Sequence, residues 1–189
     1  MAKTIFFLFL EILPLLIFFI LGQYVPFLQA VLGYIAATFV TIITVWIAQK
    51  RISYLALIFG AVIIISGSLS IYLRNPNILQ ATDTLYYLLA ALVLFVLSLF
   101  KINVMKSLFD MTFGITSLGW NILNQRWMIA LALAGISNEL VREIGSTNDW
   151  LWFQLVRTVI FIVFATYQFT LTKRHRLASS TTWGVVITK

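Results

Sequence analysis

The chain has 189 residues, 61% of them hydrophobic and only 10% charged, with a mean hydropathy of +1.00. An ordinary soluble domain carries about 25% charged residues, and this much apolar surface facing water would form large adhesive patches; a lipid-embedded bundle in one domain suits the length. The net charge of +7 gathers at the ends of apolar runs, which membrane topology explains better than nucleic-acid binding does, and the lack of cysteine excludes disulfides, thiolate catalysis and Cys-based metal sites.

Six apolar segments follow in chain order, over residues 4–22, 28–48, 53–73, 84–100, 127–143 and 151–172. A helix needs about 20 residues at 1.5 Å rise to cross a hydrocarbon layer of about 30 Å. Segments two, three and six meet this length; four and five are short and are expected to start or end in the interface. Backbone groups in lipid must be satisfied within the segment, so helix is the only sensible conformation. The fold class is therefore all-α: a polytopic transmembrane helix bundle, with five spanning helices plus an N-terminal apolar helix that is either re-entrant or a sixth span. Glu11 and Pro14 interrupt that first segment, and with no small-x-small cleavage site nearby it does not read as a signal peptide.

Lysine and arginine in the loops set the orientation. With the N-terminus inside, Lys3, Lys50, Arg51, Lys101, Lys106, Arg126, Lys173, Arg174, Arg176 and Lys189 lie on the inner side, against Arg74 and Arg142 outside. The C-terminus is cytoplasmic whether or not segment one crosses. Trp46, Trp120 and Trp127 then fall near the inner surface and Trp150 and Trp152 near the outer one, where indole rings are favoured. Residues 102–126 form an amphipathic, membrane-hugging cytoplasmic stretch, expected to break near Gly114 and Gly119. Residues 1–176 make one transmembrane domain, and 177–189 a loose polar tail. The chain shows no internal repeat, which gives an inverted-repeat transporter no support.

Charges inside a membrane cost about 2.5 to 3.5 kcal/mol at mid-helix on insertion scales, so Glu11 and Arg157 are the first candidates for function. Glu11 lies three residues before Pro14, whose ring removes a backbone donor; an acid beside a kink suits binding or gating, and a snorkelling or capping acid is the plainer alternative. Arg157 shares a helical face with Gln154, Gln168 and Thr172, a polar stripe expected to face the bundle. Asn138, Glu139, Arg142 and Glu143 cluster at the outer end of segment five, with helical spacings that put the last three on one face. Glu139 or Glu143 suits Arg157 better as a partner than Glu11 does. Asp110 beside Thr112 and Thr116 reads as a helix cap. His175 is the only histidine, the acids are scattered and no glycine-rich phosphate loop is present, so no catalytic residue, metal or cofactor is expected.

The segment Phe9-Leu10-Glu11-Ile12-Leu13-Pro14-Leu15 resembles the opening of the intracellular septation protein A family, the YciB-like inner-membrane proteins. Phe109-Asp110, Phe113, Thr116, Gly119-Trp120, Leu123 and Arg126-Trp127 resemble its central cytoplasmic motif. Asn138-Glu139, Ser146-Thr147, Asp149-Trp150, Phe153 and Gln168 continue the match in order, so that it spans residues 9–174. The resemblance implies five spanning helices, a bacterial inner-membrane location, a role in envelope biogenesis and integrity and in normal septation, contacts with membrane proteins of cell division and cell-wall elongation, and no established catalytic residue. Where related sequences carry lysines before segment four and at the start of the last helix, this chain has Gln80, Thr82 and Gln154; Arg157 stands one turn later.

Two functions follow as expectations. The first is a non-enzymatic membrane factor acting through partner contacts, with the lipid bilayer as surroundings, compatible with a homo-oligomer. The alternative is a small channel or transporter using Glu11 and Arg157. An intramembrane lipid-modifying enzyme, a third class, would have to work through Glu11, Asp110 or Glu139.

Overall fold

The computed structural model describes residues 2–49 and 54–186; for residues 2–11, 49, 54–56 and 59 it describes the backbone alone. The described residues form seven helices: α1 (Ala2–Tyr24), α2 (Phe27–Gln49), α3 (Tyr54–Tyr72), α4 (Asn77–Leu99), α5 (Val104–Phe109), α6 (Ser117–Ile144) and α7 (Thr147–Arg174). Among these residues there is no strand, only three isolated bridges. The fold is all-helical, as composition required.

Helices α2, α4 and α7 are long and apolar enough to cross a membrane. The described apolar parts of α1 and α3, Ile12–Tyr24 and Gly60–Tyr72, are shorter. Segment four is longer than hydropathy indicated. Gln80, Thr82 and Asp83 lower the average, yet the helix already starts at Asn77 and runs for 23 residues. Segment five likewise starts ten residues early, at Ser117, because Asn121, Asn124 and Arg126 interrupt the apolar pattern without interrupting the helix.

The chain divides into two compact units. Unit 1 comprises residues 1–83 and 138–155. In it α1 pairs with α2 and α2 with α3. Its core is Phe18, Ala30, Val31, Leu79, Trp150 and Leu151. Phe18 stacks on Tyr34 at 4.8 Å and meets Phe27 and Trp150 edge-on at 5.6 and 6.2 Å. Edge-to-face and offset arrangements suit ring quadrupoles and add about 0.5 to 1.5 kcal/mol per pair beyond area burial. The small-residue face of α3 brings Gly67 against Val31 and Ile35 of α2, close packing of the kind that small residues permit between membrane helices. Pro14 is buried within α1.

Unit 2 comprises residues 84–137 and 156–189. Its core is Leu94, Met105, Ile115, Trp120, Leu123 and Leu171. Here α4 approaches α6 at Gly135, where an added Cβ would lie 2.7 Å from Leu88 Cγ.

Candidate functional site

Five residues in unit 1, Gln80, Asp83, Asn138, Trp150 and Gln154, build its polar centre. Helix α6 ends at Ile144, and a capping box opens α7: Ser146 Oγ accepts from the Asp149 N–H (3.2 Å), while Asp149 Oδ2 accepts from the Ser146 N–H (2.8 Å). Trp150 follows directly, so the cap sets the direction of its indole. That indole Nε1 donates to Asn138 Oδ1 (3.0 Å), and Gln154, one turn on, donates from Nε2 to the same oxygen (3.3 Å) and to Asp83 Oδ2 (2.7 Å). Asn138 Nδ2 donates to the Gln80 carbonyl (2.9 Å). Asn138 is 0% exposed, and three described helices meet through its one amide. The buried Gln80 Nε2 finds no hydrogen-bond partner. Gln80 and Gln154 thus lie in one network with Asn138 and Asp83.

Near this centre, Arg142 bonds both Glu139 and Glu143. Glu139 lies one turn before Arg142 and Glu143 is its neighbour in sequence, so one guanidinium meets both acids of the cluster.

In unit 2, Arg157 is 7% exposed and lies over the Tyr87 ring, 4.5 Å from its centroid. Tyr87 stacks with Phe161 (5.8 Å), Phe161 with Trp127 (6.2 Å), and Trp127 meets Phe164 edge-on (5.1 Å). A buried guanidinium against an aromatic face gains about 2 kcal/mol or more. Arg126 donates from Nη1 to Gln168 Oε1 (3.2 Å) and lies 5.4 Å from the Tyr167 ring centre. Gln154, Arg157, Gln168 and Thr172 are all buried, so the expected polar stripe of α7 faces inward.

The stretch 102–126 breaks once, between α5 and α6. Asn103, not Asp110, is the N-cap of α5; its Oδ1 accepts from the Lys106 N–H (2.9 Å), while Asp110 is the C-cap and is exposed. Gly114 falls in the break, but Gly119 sits inside α6, where a Cβ would be 2.7 Å from His175 Cβ. The loose-tail expectation is corrected over the described residues. His175 O accepts from Thr116 N–H (2.8 Å), Leu177 N–H donates to Gly114 O (2.8 Å), Gly184 O accepts from Gly114 N–H (2.8 Å), and Val186 N–H donates to Thr112 O (2.9 Å). A polar sequence predicts solvation, but the break in helix leaves backbone donors and acceptors that the tail satisfies.

The predicted residues therefore separate. Asn138 and Glu139 belong to unit 1; Asp110, Trp120, Arg126, Trp127 and Arg157 belong to unit 2. Trp120 and Trp150 are buried core residues, whereas Trp46 and Trp152 are about half exposed. The Glu11 side chain lies outside the described residues, as do Lys50, Arg51 and Lys189. Among the described residues no group of three His, Asp or Glu side chains is placed to hold a metal. Sequence reasoning missed the role of Asp83 and Gln154 in the Asn138 network; their spacing from Asn138 in sequence hides it.

Long apolar helices and polar side chains withdrawn from the surface together define a multi-pass helical membrane protein. The chain matches the family described as intracellular septation protein A over residues 7–179. Among its relatives, the inner membrane-spanning protein YciB of Nitrobacter hamburgensis is 31% identical over 172 residues, 90% of this chain and 86% of the relative. The inner membrane-spanning protein YciB of Brucella melitensis biotype 1 is 28% identical over 184 residues, 89% of this chain and 92% of the relative. No solved structure matches. The chain belongs to the intracellular septation protein A family, and it is an inner-membrane protein.

Proposed function

We propose that this chain is a non-enzymatic factor of the bacterial inner membrane that supports envelope biogenesis and septation through contacts with membrane proteins of division and wall elongation. The family match over residues 7–179 carries this reading. In its full form the proposal has five spanning helices, α1 re-entrant or a sixth span, and a cytoplasmic C-terminus. The segment from Phe100 to Leu118 supports it. Phe100, Ile102, Leu108, Phe109, Met111 and Leu118 are exposed on a stretch outside the three long apolar helices, with Met111 at 88%. Apolar side chains gathered outside a span suit a protein partner or the membrane surface.

The test places a photo-crosslinking amino acid at Met111 or Leu118 in the native host. Adducts with a division or wall-synthesis protein, together with lysis or misplaced septa on gene deletion after osmotic downshift, are the expected result. Adducts with lipid alone and normal septa in the deletion strain would refute the proposal.

A further inference from the structure

Helix α4 closes with a turn ordinarily made by glycine. Ile102 N–H donates to Leu97 O and Lys101 N–H to Ser98 O, both at 3.0 Å. This pair of bonds ends a helix on a residue in the left-handed region. That residue is Lys101, with φ 61°, a conformation that L side chains resist. A cation suits the negative end of a helix, which accounts for the charge but not for what surrounds it.

The turn, the N-cap of α5 and the first turns of α6 border a half-open cavity of about 380 Å³, lined by Ser98, Lys101, Ile102, Asn103, Asn121, Asn124 and Gln125. The lining is one cation, one hydroxyl, four carboxamides and one apolar residue, Ile102, with no carboxylate. Asn103 Nδ2 donates to Asn121 Oδ1 (3.1 Å), which fixes two of the amides across the cavity. Asn124 is 3% exposed, and its Oδ1 is buried with no hydrogen-bond partner. A buried acceptor without a donor is costly and rare; the Asn124 side chain lines a space large enough for a small polar group, and a turn of its amide would present the oxygen to that space. Leu99 and Phe100, both exposed, sit at the end of a candidate span just before Lys101, and Ile102, also exposed, lines the cavity itself.

We propose that this cavity binds the polar head of a glycerophospholipid that carries its own hydrogen-bond donors. Lys101 supplies charge for the phosphodiester, the amides supply donors to its oxygens, and Asn124 Oδ1 accepts from a headgroup hydroxyl or ammonium. The flanking apolar residues lie where acyl chains would run. A free glycerol phosphate offers the same polar chemistry without the chains.

The test uses the full-length protein, delipidated in detergent, with lipid adducts counted by native mass spectrometry. Phosphatidylglycerol and phosphatidylethanolamine should bind more tightly than phosphatidylcholine, whose headgroup has no N–H or O–H. Lys101→Gln should weaken phosphatidylglycerol binding about tenfold, the equivalent of about 1.4 kcal/mol. Asn124→Asp, which sets a negative charge beside the phosphate at unchanged volume, should weaken it at least as much. Lys101 is exposed at a helix end, so the Gln variant decides the matter even if the Asp variant does not fold. Competition by millimolar sn-glycerol 3-phosphate with no lipid adduct would identify a soluble ligand and overturn the lipid assignment. Equal binding of the three lipids, or no change in Lys101→Gln, would mean annular lipid only and overturn the proposal.

Discussion

Asn138→Leu removes the amide on which the unit 1 network converges. The variant leaves the Trp150 indole N–H without its partner, whereas Gln154 keeps Asp83 and the Gln80 carbonyl, inside α4, keeps its place in the helical ladder. An orphaned buried polar group costs about 1 to 3 kcal/mol. The indole N–H is the one group left so, which sets a range of about 1 to 3 kcal/mol. Interhelical hydrogen bonds in membrane proteins often measure smaller, near 0.6 and up to about 1.7 kcal/mol, so about 2 kcal/mol is the expected loss, roughly a thirtyfold shift in the folded ratio. Reversible unfolding of the purified protein in mixed micelles, followed by far-UV circular dichroism, measures it. Trp150→Phe supplies the control: once the indole N–H is gone, Asn138→Leu has one group fewer to orphan, and the double variant should be less destabilised than the sum by about 1 kcal/mol. Additive losses, or an Asn138→Leu protein within about 0.5 kcal/mol of the parent, would refute the view that this amide organises unit 1.

Gly184 has φ 74°, and a Cβ there would lie 2.8 Å from Thr172 O; Gly184→Ala should release the tail and expose residues 175–186 to limited proteolysis, with helix content unchanged. Tyr87→Leu removes the aromatic face over Arg157 and should cost about 2 kcal/mol, read by thermal unfolding in detergent, whereas Tyr87→Phe should cost much less. Ser146→Ala removes the α7 cap and should cost about 1 kcal/mol, with a lower unfolding temperature and no change in fold. A reporter active only in the periplasm, fused after Lys189, should be silent if the C-terminus is cytoplasmic; activity there would reverse the orientation proposed from Lys and Arg.

Composition and hydropathy determined the class of this protein. Apolar runs in a chain with so few charges admit only helices, and the starts of α2 and α3 and the apolar centre of α7 follow from that pattern. The burial of the α7 stripe was legible too, because Gln154, Arg157, Gln168 and Thr172 recur at helical spacing. Helix starts that carry polar residues were not legible: Gln80 and Asp83 in α4, or Asn121 and Asn124 in α6, look like loop to an average over hydropathy. Only the tertiary structure decided which partner each polar residue takes. Asn138 meets Gln80 from 58 residues away and Gln154 meets Asp83 from 71. The polar tail satisfies the backbone of the 112–116 break. Local pattern reports which side of a helix avoids lipid, but the identity of the group waiting there depends on which helices come together, and that is set by shape complementarity between surfaces that lie far apart in the chain.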